Sequence, residues 1–169
     1  MVYETQVTDF SEIYERNAAD VYRFSLYLTG NHAVAEDLTS ETFVHALCGR
    51  TELRVDTVKA YLFAIARNLY RDGMKRQSRQ SPSGKSPEQP DSSPSADRAI
   101  EDRQTLAAVL RAMQELPATL REALVLSVDH DLRHDQIAAI LGCSTAAVKV
   151  RVHRARLQLG AELERPWRI

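Results

Sequence analysis

The chain has 169 residues, with 22 basic and 23 acidic side chains and a formal net charge of −1. This length allows one compact domain or two small ones. With 44% hydrophobic and 27% charged residues, the composition excludes a collagen-like or wholly disordered chain. No apolar run approaches the roughly 18 residues that span a bilayer, and the N-terminus lacks a secretion-signal pattern. We therefore expect a soluble, cytoplasmic protein without membrane insertion.

The cysteines and the overall charge give two further expectations. Cys48 and Cys143 are too few and too far apart for a disulfide framework or a zinc-ligand pair, so we expect two buried thiols in a reducing compartment. A net charge near zero argues at first against a nucleic-acid partner, because such domains are often strongly basic. That argument holds only if the charge is spread evenly along the chain.

Apolar residues recur at helical spacing along most of the chain and predict an all-α fold. The first predicted helix covers 10–28 and ends at the turn signal Thr29-Gly30-Asn31. The second, about 32–47, turns Ala35, Leu38, Thr42, Phe43 and Ala46 inward and acidic residues outward. The remaining predicted helices are about 57–79, one containing 100–113, one containing 120–128, and two short ones at 134–141 and 145–160.

A polar segment divides the chain. No Val, Ile, Leu, Met, Phe, Trp, Tyr or Cys occurs from Lys75 to Ala99, and Ser and Pro dominate its centre. Such a segment buries too little apolar surface to offset its ordering entropy, so 77–99 is predicted to be a flexible linker between modules 1–76 and 100–169. An ordered surface loop is the alternative.

Charge is unevenly distributed between the two modules. Residues 1–74 carry 7 basic and 11 acidic side chains, a net charge of −4, whereas residues 104–169 carry 9 and 7, a net charge of +2. Between residues 136 and 161 no acidic residue occurs, although this stretch contains Lys149, Arg151, Arg154 and Arg156. The C-terminal module therefore presents a local basic surface that the total charge conceals.

Residues 134–159 have the pattern of a helix-turn-helix. Gly142 can end the first helix in the left-handed conformation, and the Ser144 hydroxyl can cap the second. At 100° per residue, Val148, Val152, Ala155 and Leu159 form the buried stripe of the second helix. Its opposite side carries Ala146, Val150, His153 and Leu157, flanked by Lys149 and Arg154, a surface suited to the major groove of DNA.

The sequence of this half allows two other interpretations. The basic helix face could be a solvated surface without a ligand, since tri-helical units also occur in protein-binding domains. His130, Asp131 and His134 could bind a metal ion, as two histidines four residues apart do in some sites. A third ligand at suitable spacing is missing from the sequence, so no metal is expected. We also find no nucleophile–base pair or phosphate loop, and we expect neither catalytic activity nor a cofactor.

Motifs from both halves resemble one known family. The segment LGCSTAAVKVRVHRARLQL, preceded by ELPATLREALVLSVDHDLRHDQIA, resembles the fourth conserved region of bacterial RNA polymerase sigma factors. AEDLTSETFVHAL and VKAYLFAIARNLYRD resemble the second conserved region. The similarity covers about 10–76 and 100–160 and leaves no room for the first and third regions. The chain thus resembles the extracytoplasmic-function (ECF) type of the sigma-70 family.

The resemblance implies a role for three groups of residues. Docking on the clamp helices of core RNA polymerase would involve Glu36, Asp37, Leu38, Ser40, Glu41 and Phe43. Recognition of the minus-ten promoter element would involve Tyr61, Arg67, Asn68, Arg71, Lys75 and Arg76. Recognition of the minus-thirty-five element would involve Ser144, Thr145, Lys149, Val150, Arg151, His153 and Arg154.

The sequence departs from the family pattern at three places. Arg133 stands where the family usually has a Ser or Thr cap, so we expect fraying at that helix end. Ala146-Ala147 replaces a frequent Gly-Thr, and Val150 replaces a frequent Ser. Both changes remove potential phosphate contacts, but the basic outward face remains.

The resemblance implies a sigma factor that directs core RNA polymerase to specific promoters and promotes strand opening. The implied partners are core polymerase, promoter DNA and, because many family members are held inactive by one, an anti-sigma factor. A free-standing helix-turn-helix regulator is the first alternative, although it leaves the motifs at 35–72 unexplained. A metal-dependent hydrolase using His130, Asp131 and His134 is the remote alternative.

Overall fold

The computed structural model describes residues 3–49, 57–80, 97–128 and 131–164, with side chains from Phe10 onward in the first range and from Ile100 onward in the third. These residues form seven α-helices and no strand, which confirms the all-α prediction. The helices are α1 (Tyr3–Thr29), α2 (His32–Cys48), α3 (Val58–Gln80), α4 (Asp97–Glu115), α5 (Ala118–Val128), α6 (His134–Leu141) and α7 (Thr145–Glu164).

The first three helices pack around an aromatic centre. Phe24 of α1 stacks on Phe63 of α3 with a centroid separation of 4.8 Å, and both rings are almost fully buried. Gly30 separates α1 from α2 and has φ +68°, which a residue with a side chain adopts only under strain. Asn31 then caps α2, because its side-chain oxygen accepts the Val34 N–H at 3.0 Å.

The last four helices form the second module around α5. Every α5 residue from Leu120 to Leu126 is buried, because α7 and α6 pack against it. The turn between α6 and α7 follows the sequence prediction. Gly142 ends α6 with φ +64°, and the Ser144 hydroxyl accepts the Ala147 N–H at 3.1 Å.

The two modules pack against each other. Helix α1 contacts α4 and α5, and α3 contacts α6, so one apolar core runs through both halves. A separate cluster joins Leu26 and Ala35 of the first module to Leu110 of the second. The Gln114 amide donates to the Leu28 carbonyl at 3.3 Å, where α1 ends. A Cβ on Gly30 would lie 3.0 Å from the Gln114 side chain, so glycine permits this close approach.

Some expectations are corrected and others lie outside the described residues. Cys48 is exposed and Cys143 only partly buried, so the expectation of two buried thiols is wrong. Helix α3 extends to Gln80 and α4 begins at Asp97; residues 81–96, the centre of the predicted linker, lie outside the described residues. Within the described ranges, no helix is long and apolar enough to cross a membrane.

Candidate nucleic-acid interface

Helix α7 presents the outward face that the sequence predicts. Val148, Val152 and Ala155 are buried against the rest of the module. The opposite side is exposed and carries the predicted minus-thirty-five residues Ser144, Thr145, Lys149, Val150, His153 and Arg154. Arg151 lies at the edge and is half-buried. A helix with small side chains and cations on one exposed face can enter the major groove and meet base edges and phosphates.

At the start of α6, Arg133 stands at the N-cap in place of the usual hydroxyl residue. The Arg133 N–H donates to Oε1 of Gln136 at 3.0 Å, so an inward glutamine satisfies the helix end. The Arg133 guanidinium has no acceptor atom and instead pairs with Asp135 at 3.1 Å. That hydrogen bond lowers the pKa of the Asp135 carboxyl below its usual range. The Arg133 side chain makes no hydrogen bond that caps the helix, and fraying at this end stays a prediction.

Helix α2 presents an acidic face with apolar ends. Glu36, Asp37, Ser40 and Glu41 are exposed, as their predicted docking role requires. Leu38 and Phe43 are buried, and Tyr14 packs on the Phe43 ring at 4.7 Å between centroids. These two residues therefore hold the helix on the core and offer no contact surface.

Sequence reasoning missed three apolar members of the α2 face. Val44 and Leu47 are 59% and 64% exposed, and Val34 is also exposed. Val34, Asp37, Glu41 and Val44 follow one another at spacings of three and four, which places them on one side of the helix. That spacing was readable in the sequence. The resulting surface combines acidic and apolar groups.

The predicted minus-ten residues fall into two groups on α3. Asn68, Lys75 and Arg76 are exposed, and Tyr61 is half-buried. Arg67 is buried and makes two bonds to the second module. Its Nε donates to Oε2 of Glu122 at 3.0 Å, and its Nη1 donates to the Ile140 carbonyl at 2.9 Å.

Arg71 shares the same carboxylate one turn later. Its Nε donates to Oε1 of Glu122 at 2.9 Å, and its side chain remains 42% exposed. The Glu122 side chain is only 1% exposed, so both of its oxygens are paired in the interior. Periodicity gives no signal for this residue, because the helix that carries it is buried on all sides.

The described residues offer no metal-binding cluster. No group of three His, Cys, Asp or Glu side chains in 3–49, 57–80, 97–128 and 131–164 is placed to hold an ion. His130, which the metal-binding alternative combines with Asp131 and His134, lies outside these ranges.

Comparison with known proteins matches both modules to regions of one protein family. The chain matches the family Sigma-70 region 2 over residues 13–80 and the family Sigma-70, region 4, over residues 106–159. It is 33% identical to the ECF RNA polymerase sigma factor EcfG of Rhodopseudomonas palustris over 83% of this chain and 77% of that protein. It is 32% identical to SigM of Bacillus subtilis, with coverage of 89% and 92%. The chain belongs to the ECF sigma factors.

Other relatives extend the comparison. This sigma factor is 31% identical to SigE of Mycolicibacterium smegmatis over 92% of its own length and spans 62% of that relative. Its fold resembles RpoE from Bartonella quintana, solved with the anti-sigma factor NepR, with a TM-score of 0.73, 27% identity and coverage of 92% and 97%. It also resembles CnrH, solved with the cytosolic domain of CnrY, with a TM-score of 0.67, 25% identity and coverage of 92% and 87%.

Membership of this family decides between the sequence interpretations. The chain is a sigma factor, the class of subunit that directs RNA polymerase to promoters. A free-standing helix-turn-helix regulator would not account for the region 2 match over residues 13–80. The helices α1 to α3 fall largely in the region 2 match and α5 to α7 largely in the region 4 match.

Proposed function

We propose that this sigma factor binds core RNA polymerase through α2, reads the minus-thirty-five element with α7, and recognises and helps to open the minus-ten element with α3. The observation that carries the proposal is the exposed, acid-free outer face of α7 in a chain that also contains region 2. The protein acts where core polymerase works, in the cytoplasm. It contributes recognition, and the chemistry of RNA synthesis belongs to the polymerase.

The proposed minus-thirty-five reader is the N-terminal half of α7. Lys149 and Arg154 flank its outward face and can form bidentate or phosphate contacts. Val150 and His153 lie between them and allow close approach to the groove floor. Ser144 and Thr145 stand at the helix N-terminus, where backbone N–H groups favour a phosphate.

The proposed minus-ten surface is the exposed side of α3. Asn68, Lys75 and Arg76 are accessible as the structure stands, and cations in this position would follow the phosphate backbone. Strand opening requires that an unpaired base be held against a ring or in an enclosing pocket. Tyr61, half-buried on the same helix, is the aromatic side chain proposed to contribute there.

The proposed polymerase-docking surface is the acidic and apolar face of α2. Exposed acids give encounter rate and orientation against a basic partner. Exposed Val44 and Leu47 add apolar area, which supplies affinity once the surfaces meet. Buried Leu38 and Phe43 position this helix from inside.

An anti-sigma factor is the further partner we propose. RpoE and CnrH, the two structural relatives, were solved with protein partners, and in the case of RpoE the partner is an anti-sigma factor. The present chain shares their fold over 92% of its length. A cognate partner of this class would hold the sigma factor away from core polymerase.

Transcription in vitro tests the proposed function directly. Core polymerase with the purified full chain, presented with a library of promoter fragments, should initiate on a defined subset that core alone does not use. Gel filtration at low salt should show a complex of the chain with core. Failure to form that complex, or initiation indistinguishable from core alone, would contradict the proposal.

A further inference from the structure

We propose that Glu122 holds the two modules of the free sigma factor together, in a closed state, by pairing with Arg67 and Arg71. These are the two arginines that region 2 would otherwise present to promoter DNA. Region 4 would thus act as an internal competitor for the DNA-binding groups of region 2. The proposal rests on the proposed function, because it assigns a regulatory state to the same α3 surface.

The two arginines that pair with Glu122 can also pair with phosphate. Both arginines lie on α3 one turn apart, where two like charges repel each other unless an anion lies between them. Glu122 supplies that anion with one oxygen for each guanidinium, at 3.0 Å from Arg67 and 2.9 Å from Arg71. A phosphate also offers several anionic oxygens to arginine forks. Carboxylate and phosphate are therefore alternative ligands for one pair of cations.

Arg67 is buried where the two modules meet. The Arg67 side chain is only 10% exposed and also donates to the Ile140 carbonyl in the last turn of α6. A cation is favoured at this helix end, where unpaired carbonyls accumulate partial negative charge. With both bonds made, Arg67 has almost no surface left for DNA, whereas Arg71 remains partly exposed. Contact with a promoter requires α3 to separate from α5 and α6.

The packed modules are too short to reach both promoter elements. The element names place the two recognition sites about 25 base pairs apart, or about 85 Å along B-form DNA. Two modules of about 70 residues, each with a radius of gyration of about 11 Å, cannot reach both sites while they are packed together. The closed arrangement is therefore a state of the free protein, distinct from the state that initiates transcription.

The contact is also built to be reversible. Two arginines, Arg67 and Arg71, share one carboxylate, so this group of three side chains carries one excess positive charge. Within the described residues, the buried Nε of Arg121 and Nε2 of Gln136 have no hydrogen-bond partner. An unpaired buried donor is a free-energy cost to the closed state that contains it. The closed state leaves the outer face of α7 exposed, and on α3 it withholds Arg67 and part of Arg71.

Arginine labelling of the full chain tests the proposal. Phenylglyoxal modification, quantified by peptide mass spectrometry, should label Arg67 of the wild type at least about tenfold more slowly than exposed Arg154, as expected when opening is a minor population. Glu122→Gln keeps the shape and removes the charge, and it should bring Arg67 close to the Arg154 rate. Glu115→Gln, the same change at an exposed site of α4, should leave the ratio unchanged.

Small-angle scattering gives an independent readout of the same change. A compact chain of this length has a radius of gyration of about 15 Å, whereas module centres about 40 Å apart would give about 23 Å. Glu122→Gln should move the value towards the larger figure, with circular dichroism showing unchanged helix content. If that variant loses helix content, Arg67→Met, which removes the guanidinium from the other module, should give the same increase.

The outcomes separate this proposal from the proposed function. Rapid Arg67 labelling in the wild type, or a folded Glu122→Gln that stays as slow and as compact as the wild type, would overturn the closed state. Transcription with saturating core polymerase tests the function separately. Absence of promoter-directed initiation would overturn the function even if the labelling result showed the Glu122 contact.

Discussion

Arg67 and Glu122 stand 55 positions apart in the chain, and their side chains meet in the interior with a separation of 3.0 Å between Nε and Oε2. Each residue belongs to a different sigma region, and each is nearly excluded from solvent. Buried pairs of this kind add little net stability, but losing one partner leaves an uncompensated charge inside. The pair therefore makes one contact between the modules depend on charge, whereas the separate cluster of Leu26, Ala35 and Leu110 joins them through apolar side chains.

Arg154→Ala should weaken promoter-directed transcription. Arg154 is exposed on the outer face of α7, where a base or phosphate contact contributes about 1–3 kcal/mol. The measurement is binding of the polymerase holoenzyme to a promoter fragment identified from the library. Arg156→Ala, which removes the same charge nearer the buried stripe, should cost less. Equal losses for the two variants would show that α7 faces the DNA with a different side.

Asp37→Lys should weaken the complex with core polymerase by about tenfold, because a cation would then face a basic surface. Asp37 is exposed at the centre of the acidic α2 face, and the change leaves the buried side of the helix intact. The dissociation constant for core polymerase is the quantity to measure. Glu101→Lys makes the same charge reversal on exposed α4 and should leave that constant unchanged. A loss shared by both variants would indicate a non-specific effect of charge.

Phe63→Ala should destabilise the fold by about 3–5 kcal/mol, since it removes a buried ring and leaves a cavity. Phe63 is 1% exposed and stacks on Phe24 at the centre of the first module. Urea unfolding followed by circular dichroism measures the change in the free energy of unfolding. Tyr61→Ala, at a half-buried position of the same helix, should cost clearly less. A Phe63 variant as stable as the Tyr61 variant would contradict this packing.

The ion pair between Lys59 and Asp20 should stabilise the protein fully above about pH 4 and progressively less at lower pH. Lys59 Nζ lies 2.8 Å from Asp20 Oδ2, and this hydrogen bond holds the pKa of the Asp20 carboxyl below its usual value of 3.8. A depressed pKa in the folded state means that the stabilisation is present above the unfolded pKa. It is lost as the pH falls through the folded pKa.

Asp20→Asn measures that contribution. The substitution should lower the free energy of unfolding by about 0.5–1 kcal/mol at pH 7, the range of partly exposed pairs. The loss should become smaller as the pH falls below 3.8 towards the depressed folded pKa. Glu15→Gln, at an exposed position of the same helix, should show no such pH dependence. An Asp20→Asn effect that is equally large at pH 7 and below pH 3.8 would assign it to packing and not to charge.

The surface of α2 shows how far local pattern carries. The alternation of inward Ala35, Leu38 and Phe43 with outward acids follows from 3.6 residues per turn, and the structure has that arrangement. The same pattern also places Val44 and Leu47 on the exposed side, but the predicted docking residues do not include them. Periodicity places Leu38 and Phe43 on the buried side of α2. Only their positions in the family motif assigned them to a contact surface.

The sequence by itself determined the seven helices, the helix-turn-helix with its turn at Gly142, and the acidic and basic surfaces that a net charge of −1 conceals. These features depend on neighbours within one or two turns. Only the tertiary structure decided that Arg67 is buried, that it pairs with Glu122, and that the modules share a core. The contacts of Arg67 join residues 55 and 73 positions apart, across a polar segment whose composition specifies no docking geometry. Such pairings depend on complementary side chains on separate helices, which no local pattern contains.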